Sequence, residues 1–404
     1  MRSVRRLGDP VLLVPCALAL VVRVVYVVAQ DRYQVFSVAF EASDSHVYRA
    51  IADQIATHGR YVFEGHPTAH FNPGFPLFLA ALYSVSRATL WIALANAVCG
   101  AVMVLLIADV ARRLAGRRAA LLAGLAAAVY PHLVFWTGYV LSEPLFLLLV
   151  VAALDLTVVA AERRSLRLAA AAGACFGLAA LTRPVILGFA IALGVGLVAC
   201  SGERRRAAFV GLVGLAVVLA PWAIRNEVQL GTAGVTSTES GYVLWQGNSP
   251  DANGGRGGYV DPPDFQPLRM PAGSSEAKVD RRYARAARSW MLHHPGRVAR
   301  LVPTKLANLF LPTYPDASRL NVAVTLLTYP FVLLLGVAGL VLAWGRATIG
   351  RVLALAVLYL VASHALITGM IRFRLPIEAI LLVGVGIAGD ALLARRGERA
   401  AARS

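Results

Sequence analysis

The sequence predicts an all-α polytopic membrane protein of about ten transmembrane helices, with interfacial helices in a first outer loop and one larger outer segment. Three observations predict it. The 404 residues are 58% apolar with a mean hydropathy of +0.65, and runs of about 18–20 apolar residues recur, each able to cross a hydrocarbon core of about 30 Å. Short basic knots separate the runs: Arg2/Arg5/Arg6, Arg112/Arg113/Arg117/Arg118, Arg163/Arg164/Arg167, Arg204/Arg205/Arg206, Arg346/Arg351 and Arg395/Arg396/Arg399. Two stretches, 30–87 and 224–320, are too polar to span. The formal charge of +17 is then mainly a topology signal, with attraction to anionic lipid as a by-product. Nucleic-acid binding, the other reading of a high pI, lacks a soluble domain that interleaves bases with aromatics.

Candidate spans are 11–29, 88–110, 119–137, 141–161, 168–182, 184–200, 207–223, 321–343, 351–369 and 375–393. The first follows a basic start, yet it is long and lacks a small-x-small cleavage site. It reads as an uncleaved helix of the plasma membrane, not a signal peptide. An inside N-terminus puts every basic knot, and both termini, on the cytoplasmic face. Shifting any one crossing would expel several arginine clusters at once. The stretch around Thr182-Arg183-Pro184 admits a second reading, so the count carries a span or two of latitude.

In the first polar stretch, Ser43 or Asp44 caps a helix that Gly59 stops, and Asn72-Pro73-Gly74-Phe75-Pro76 opens another with proline in its first turn. The second stretch begins with Gly241 to Asn248 and passes a Gly-rich flexible loop at Asn253–Gly258. It closes with a basic helix from Asp280 to Arg300 that carries Tyr283 and Trp290 as interfacial aromatics. The chain reads as one integral unit, 1–404, with 30–87 and 224–320 outside the membrane. Cys16, Cys99, Cys175 and Cys200 sit in apolar stretches without paired spacing, so neither a disulfide framework nor a metal site is indicated.

Acids are scarce in and beside the apolar part: Asp44, Asp53, Asp109, Glu143, Asp155 and Glu378. A carboxylate at mid-membrane costs several kcal/mol, about 2.5–3.5 even on the forgiving insertion scale. Asp44 and Glu143 fall at the outer surface. Ser142-Glu143-Pro144 sets a carboxylate over a helix N-terminus, where the dipole favours the anion. Arg183, Arg225, Arg372 and Arg374 break the positive-inside pattern, each at the outer end of an apolar helix. Guanidinium suits bidentate phosphate contact, so four converging arginines would clamp a lipid-linked phosphate. A carboxylate beside such a clamp suits proton removal from an acceptor. The bland readings stand beside these: Asp44 and Glu143 as helix caps, each arginine as a snorkelling headgroup contact, and His70 as a loop histidine without a second histidine at metal spacing.

Several motifs resemble, in order, those of the C-type (GT-C) multi-spanning glycosyltransferases, and within them the family-39 group of protein O-mannosyltransferases and the lipid A aminoarabinose transferase. They are Asp44-x-x-x-Tyr48, Gly59-x-Tyr61, Asn72-Pro73-Gly74-Phe75-Pro76-Leu77, Tyr130-Pro131 to Phe146, Leu181 to Pro184, Pro221 to Asn226, Trp245-Gln246-Gly247-Asn248 and Arg372 to Pro376. The resemblance implies a GT-C-like fold and a hexosyl- or pentosyltransferase that takes sugar from a polyprenyl-phosphate donor on the extracytoplasmic face. It places Asp44 as the catalytic carboxylate, Glu143 as a second acidic position, and the outer arginines on the lipid phosphate. Two departures are visible. Asn72-Pro73-Gly74 stands where some relatives have Lys-Pro-Pro, and Asp44 is flanked by serines where the protein mannosyltransferases have an Asp-Glu pair, which leaves protein unfavoured over other acceptors.

The expected chemistry is inverting and needs no cofactor, although two carboxylates leave a divalent ion open. Asp44 is the base, and Arg225, Arg372, Arg374 and Arg183 stabilise the departing phosphate. Tyr48, His70, Asn72, Asn226, Trp245 and Asn248 are expected to line the substrate site, with Phe71, Tyr242 and Trp245 stacking on sugar. The partners are then the donor lipid, membrane lipid and an acceptor hydroxyl on glycan, lipid or protein, with no nucleic acid. A transporter or flippase for a lipid-linked sugar is the alternative. It would use the same arginines, but no inverted repeat or midplane helix break is evident for it.

Overall fold

The computed structural model describes residues 8–33, 44–199, 202–254, 275–312, 319–345 and 348–401. Arg2, Arg5, Arg6, Ser43, Cys200, Arg346 and the Gly-rich loop beyond Gly254 lie outside the described residues. Sixteen helices are described in chain order. They are α1 (Pro10–Tyr33), α2 (Asp44–His58), α3 (Gly74–Tyr83), α4 (Thr89–Ala115), α5 (Arg117–Val129), α6 (Pro131–Phe135), α7 (Glu143–Arg163) and α8 (Leu166–Thr182). There follow α9 (Leu187–Val198), α10 (Glu203–Leu230), α11 (Ser240–Asn248), α12 (Glu276–His293), α13 (Pro295–Phe310), α14 (Arg319–Trp344), α15 (Thr348–Leu366) and α16 (Leu375–Ala401). A two-residue antiparallel ladder, Val62–Phe63 with His66–Pro67, lies between α2 and α3.

The chain is a multi-pass membrane protein. Among the described residues seven helices are long and apolar enough to cross a bilayer, and the bent pair Arg117–Val129 and Pro131–Gly138, taken as one span, makes eight. The remaining two predicted spans correspond to the shorter apolar helices Leu166–Thr182 and Pro184–Val198. The most apolar windows of α7 and α16 are 61% buried against 22% for α10, so the first two form the centre of the bundle.

Small residues set how closely the helices pack. A Cβ at Gly173 would overlap the backbone of Gly211 between α8 and α10, and one at Gly339 would overlap Gly384 between α14 and α16. Such contacts hold helices together where lipid offers no hydrophobic drive. The bend of 53° between α5 and α6 has a local cause. Pro131 lacks an N–H, so the Ala127 carbonyl loses its helical donor. The buried Arg23 of α1 donates instead, to Ala128 O at 3.0 Å and Ala127 O at 3.4 Å.

The described basic knots at 112–118, 163–167 and 204–206 gather at one end of the bundle, where Arg113 pairs with Glu162, Arg164 with Glu203 and Arg117 with Asp9 at 2.9 Å. Helix α7 runs 21 residues from Glu143 to that end, or about 30 Å at the helical rise. Glu143, Arg183 and the start of α16 therefore stand at the opposite end.

Three local expectations change. Helix α10 continues to Leu230, so Arg225 and Asn226 belong to its last turns. Residues 240–248 are helical. The basic helix drawn from Asp280 to Arg300 is two helices, α12 and α13, because Pro295 cannot continue the first.

Candidate functional site

Four chain segments deliver charged groups to one place at the end opposite the knots. Asp44 opens α2, and Gly59 at φ 66° stops that helix by supplying the left-handed conformation. Glu143 opens α7 after Ser142 and before Pro144, so its buried carboxylate sits over a helix N-terminus. Arg183 follows α8 in extended backbone, φ −145° and ψ 117°, the conformation imposed on a residue before proline. Arg372 lies on the 3-10 turn Ile371–Arg374 that leads into α16.

These four side chains form one chain of ion pairs. Arg183 Nη1 donates to Glu143 Oε1 at 2.7 Å and to Ser142 Oγ at 3.3 Å. Both η nitrogens of Arg372 donate to Asp44 Oδ2 at 3.2 Å, and its Nε lies 4.0 Å from Glu143 Oε1. Glu143 Oε2 is buried and has no hydrogen-bond partner among the described residues. Phe373 is the common platform: the guanidiniums of Arg183 and Arg372 lie 5.3 Å and 5.4 Å from its ring centroid. His364 stacks on the same ring at 5.1 Å with planes 17° apart.

Tyr48, one turn after Asp44, completes the wall. Its hydroxyl bonds to Ser142, and burial raises its pKa further than Asp44 and Glu143 do. The ring meets Phe71 and Phe75 edge-on, each at 5.0 Å. At the rim His70 Nε2 lies 3.8 Å from Glu239 Oε1. Burial pushes the Glu239 carboxyl above the usual range, Asp44 adds to this, and His70 and Arg372 oppose it.

Other expected site residues are held elsewhere. Arg225 donates to Thr68 O at 2.6 Å, Tyr61 O at 2.7 Å and Asn226 Oδ1 at 3.0 Å, and lies over the Tyr61 and Trp222 rings. Arg374 is buried on Glu378 at 2.6 Å, on the Leu309, Leu311 and Pro312 carbonyls, and over Tyr329. Neither is hydrogen-bonded or ion-paired to Asp44 or Glu143 among the described residues; of the four arginines, Arg183 and Arg372 are the two that meet those carboxylates. Arg374 takes carbonyls at the C-terminal end of α13, and Arg225 takes loop carbonyls flanking the small ladder between α2 and α3. Asn226 bonds Gly234 O at 2.8 Å, and Asn248 bonds Leu244 O and Leu366 O, both at 3.0 Å. Tyr242 packs edge-on to Tyr283 at 5.1 Å, between α11 and α12. Trp245 Nε1 and Asn72 Oδ1 are buried without a hydrogen-bond partner among the described residues.

Sequence reasoning missed Glu239, His364 and Phe373. A signal existed for Glu239, an acid just before a helix in an outer segment, and for His364, a polar side chain near the end of a span. The donors around Asp44 and Glu143 do not fit a divalent ion well. A guanidinium bridges the two carboxylates, and no group of three His, Cys, Asp or Glu suited to a metal occurs among the described residues.

Residues 66–224 match the family model described as dolichyl-phosphate-mannose-protein mannosyltransferase. No curated protein sequence matches significantly. Among solved structures, the Archaeoglobus fulgidus oligosaccharyltransferase in its apo form is 16% identical with a TM-score of 0.55, covering 97% of this chain and 52% of that one. The archaeal oligosaccharyltransferase AglB from Archaeoglobus fulgidus, in complex with an inhibitory peptide and a dolichol-phosphate, is 17% identical with a TM-score of 0.51, over 88% of this chain and 47% of that one. ArnT from Cupriavidus metallidurans bound to undecaprenyl phosphate is 18% identical at TM-score 0.43, covering 93% and 77%. The chain thus spans about half the length of the oligosaccharyltransferase structures it matches and shares the fold of the part covered. The family match and this fold together bear out the resemblance to GT-C glycosyltransferases of the family-39 kind.

Proposed function

We propose that the chain transfers a sugar from a polyprenyl-phosphate donor to an acceptor hydroxyl, with inversion, at the end of the bundle away from its basic knots. The observation that carries this reading is the single ion-pair chain of Asp44, Arg372, Glu143 and Arg183. By the positive-inside rule that end is extracytoplasmic. The family match and the dolichol-phosphate held by a structural neighbour support a polyprenyl-phosphate donor.

The resting charges balance: two carboxylates face two guanidiniums. A donor phosphate, with more oxygens and more charge, competes for Arg183 and Arg372. Drawing Arg372 toward phosphate releases Asp44 to act as a base. The acceptor oxygen then attacks the anomeric carbon while the bond from that carbon to the phosphate oxygen breaks. The acceptor proton passes to Asp44, and the bond's electron pair leaves on the phosphate, where both guanidiniums meet the growing charge. Glu143, at the start of α7, keeps Arg183 aimed together with Ser142, since both accept from the same guanidinium nitrogen. Phe373 holds both guanidiniums in one plane of approach.

The test is a membrane assay with a panel of polyprenyl-phosphate monosaccharides. Asp44→Asn is expected to lower transfer by roughly 10²–10⁴-fold while donor binding persists. Unchanged turnover in that variant, or movement of donor across the bilayer without glycosidic product, would overturn the proposal.

A further inference from the structure

Helix α12 carries a charge pattern that the transfer chemistry does not use. Lys278, Arg281, Arg282, Arg285 and Arg288 are all exposed. Their spacing of i, i+3, i+4, i+7 and i+10 puts them within about a third of the helix circumference and along about 15 Å of its length. None of the five is in a hydrogen bond or salt bridge with another described residue, and Arg281 alone interacts with an acid of the helix, lowering the pKa of the Asp280 carboxyl at longer range. Cations three and four residues apart repel and weaken a helix, so a strip of this kind calls for an outside partner.

The two acids of α12 are turned inward. Glu276 accepts from Thr68 Oγ1 at 2.5 Å, Ala69 N at 2.9 Å and Thr238 Oγ1 at 3.0 Å. Asp280 accepts from Gly241 N at 2.6 Å. The apolar face is occupied too, since Ala277, Tyr283 and Ala287 are buried and Tyr283 packs on Tyr242 of α11. What remains outside is positive. A helix that lies on a bilayer sinks an apolar face into the headgroup boundary. From 278 to 289 the exposed face of α12 has no large hydrophobic side chain, and Leu292 is the first one beyond it.

We propose that this face docks a polyanionic glycan, a chain bearing carboxylates or phosphates, whose hydroxyl is the acceptor. The naming of the acceptor rests on the transferase reading; the binding does not. The geometry connects strip and site. Asp280 on the inner face of α12 holds Gly241, two residues after Glu239, which pairs with His70 at the rim beside Asp44. A chain lying along the strip is therefore separated from that rim by about one helix diameter, on the order of 10 Å.

Binding is measured on the full chain in nanodiscs of zwitterionic lipid, with soluble polygalacturonate as probe and neutral dextran as control. Polygalacturonate is expected to bind and to weaken as salt rises, and dextran is expected not to bind. The variant R281Q/R282Q/R285Q/R288Q is expected to bind at least about tenfold more weakly, with its thermal midpoint and its polyprenyl-phosphate binding unchanged. No binding by the wild type, or equal binding by the variant, overturns the proposal. Nanodiscs carrying phosphatidylglycerol give a third arm. If anionic lipid abolishes polygalacturonate binding, the strip faces the bilayer and the proposal fails. Because binding needs no turnover, its failure is distinguishable from a failure of Asp44→Asn to stop transfer.

Discussion

Arg372 and Arg374 stand two residues apart on one 3-10 turn, and they have opposite surroundings. Arg374 pairs with Glu378 at 2.6 Å, and both side chains are 1% exposed. The Glu378 carboxylate is also bonded by Tyr130 at 3.0 Å and His132 at 2.6 Å. Arg372 meets Asp44 at 3.2 Å with 16% and 28% exposed, and it reaches toward a Glu143 whose second oxygen has no hydrogen-bond partner among the described residues. The first pair is closed on all sides by groups it cannot leave without desolvation cost. The second is open to a stronger anion. The contrast teaches that two arginines of one turn can have unlike surroundings, one sealed with its carboxylate and one whose pair is partly exposed beside a buried carboxylate oxygen that has no hydrogen-bond partner among the described residues.

The largest expected effect tests the closed pair. Arg374→Met leaves a buried carboxylate without its cation and is expected to cost about 3–5 kcal/mol, read as a fall in thermal midpoint or in folded yield. Arg372→Met is expected to change stability by less than about 1 kcal/mol while reducing transfer at least about 10²-fold. Equal destabilisation of the two variants would break the comparison. Arg372→Lys sharpens it: the charge remains but the paired donors are lost, so transfer should fall by roughly tenfold at unchanged stability.

The smallest effect concerns a third buried cation at the same end. Lys305 of α13 is fully buried and donates to Asn248 Oδ1 at 2.8 Å and Leu366 O at 3.0 Å, with no carboxylate. Burial lowers its pKa from 10.5 to about 8. Between those values the unfolded chain binds more protons than the folded one, so this group's contribution to stability rises with pH through that window. The thermal midpoint of the wild type should therefore gain on that of Lys305→Met as pH rises from about 7 to about 10. A gap that stays constant would show that the lysine does not titrate there.

The legible part of the site was the part written in helix ends. Ser142-Glu143-Pro144 and Thr182-Arg183-Pro184 announce a helix start and a helix stop, and both charged residues stand where those signals put them. Arg372 was legible in the same way. Arg225 and Arg374 carried identical signals and went to backbone carbonyls of a distant loop and a distant helix end, because a sequence does not say which carbonyls the fold brings within reach. Glu239 reached the rim through a connection that crosses over the first loop, where Thr238 N donates to Ala69 O at 2.9 Å. No local pattern encodes that contact.

The chain by itself determined the number and order of its apolar helices, the gathering of its basic knots at one end, and the break points at its prolines. Those follow from solvation and backbone sterics, which act within one helix or one turn. Only the tertiary structure decided which of four outer arginines meets a carboxylate open to a ligand, and that Phe373 stands between two of them with His364 at its back. An ion pair depends on distance and on competing partners, and both are set by segments hundreds of residues apart, such as Asp44 and Arg372, which are 328 positions apart.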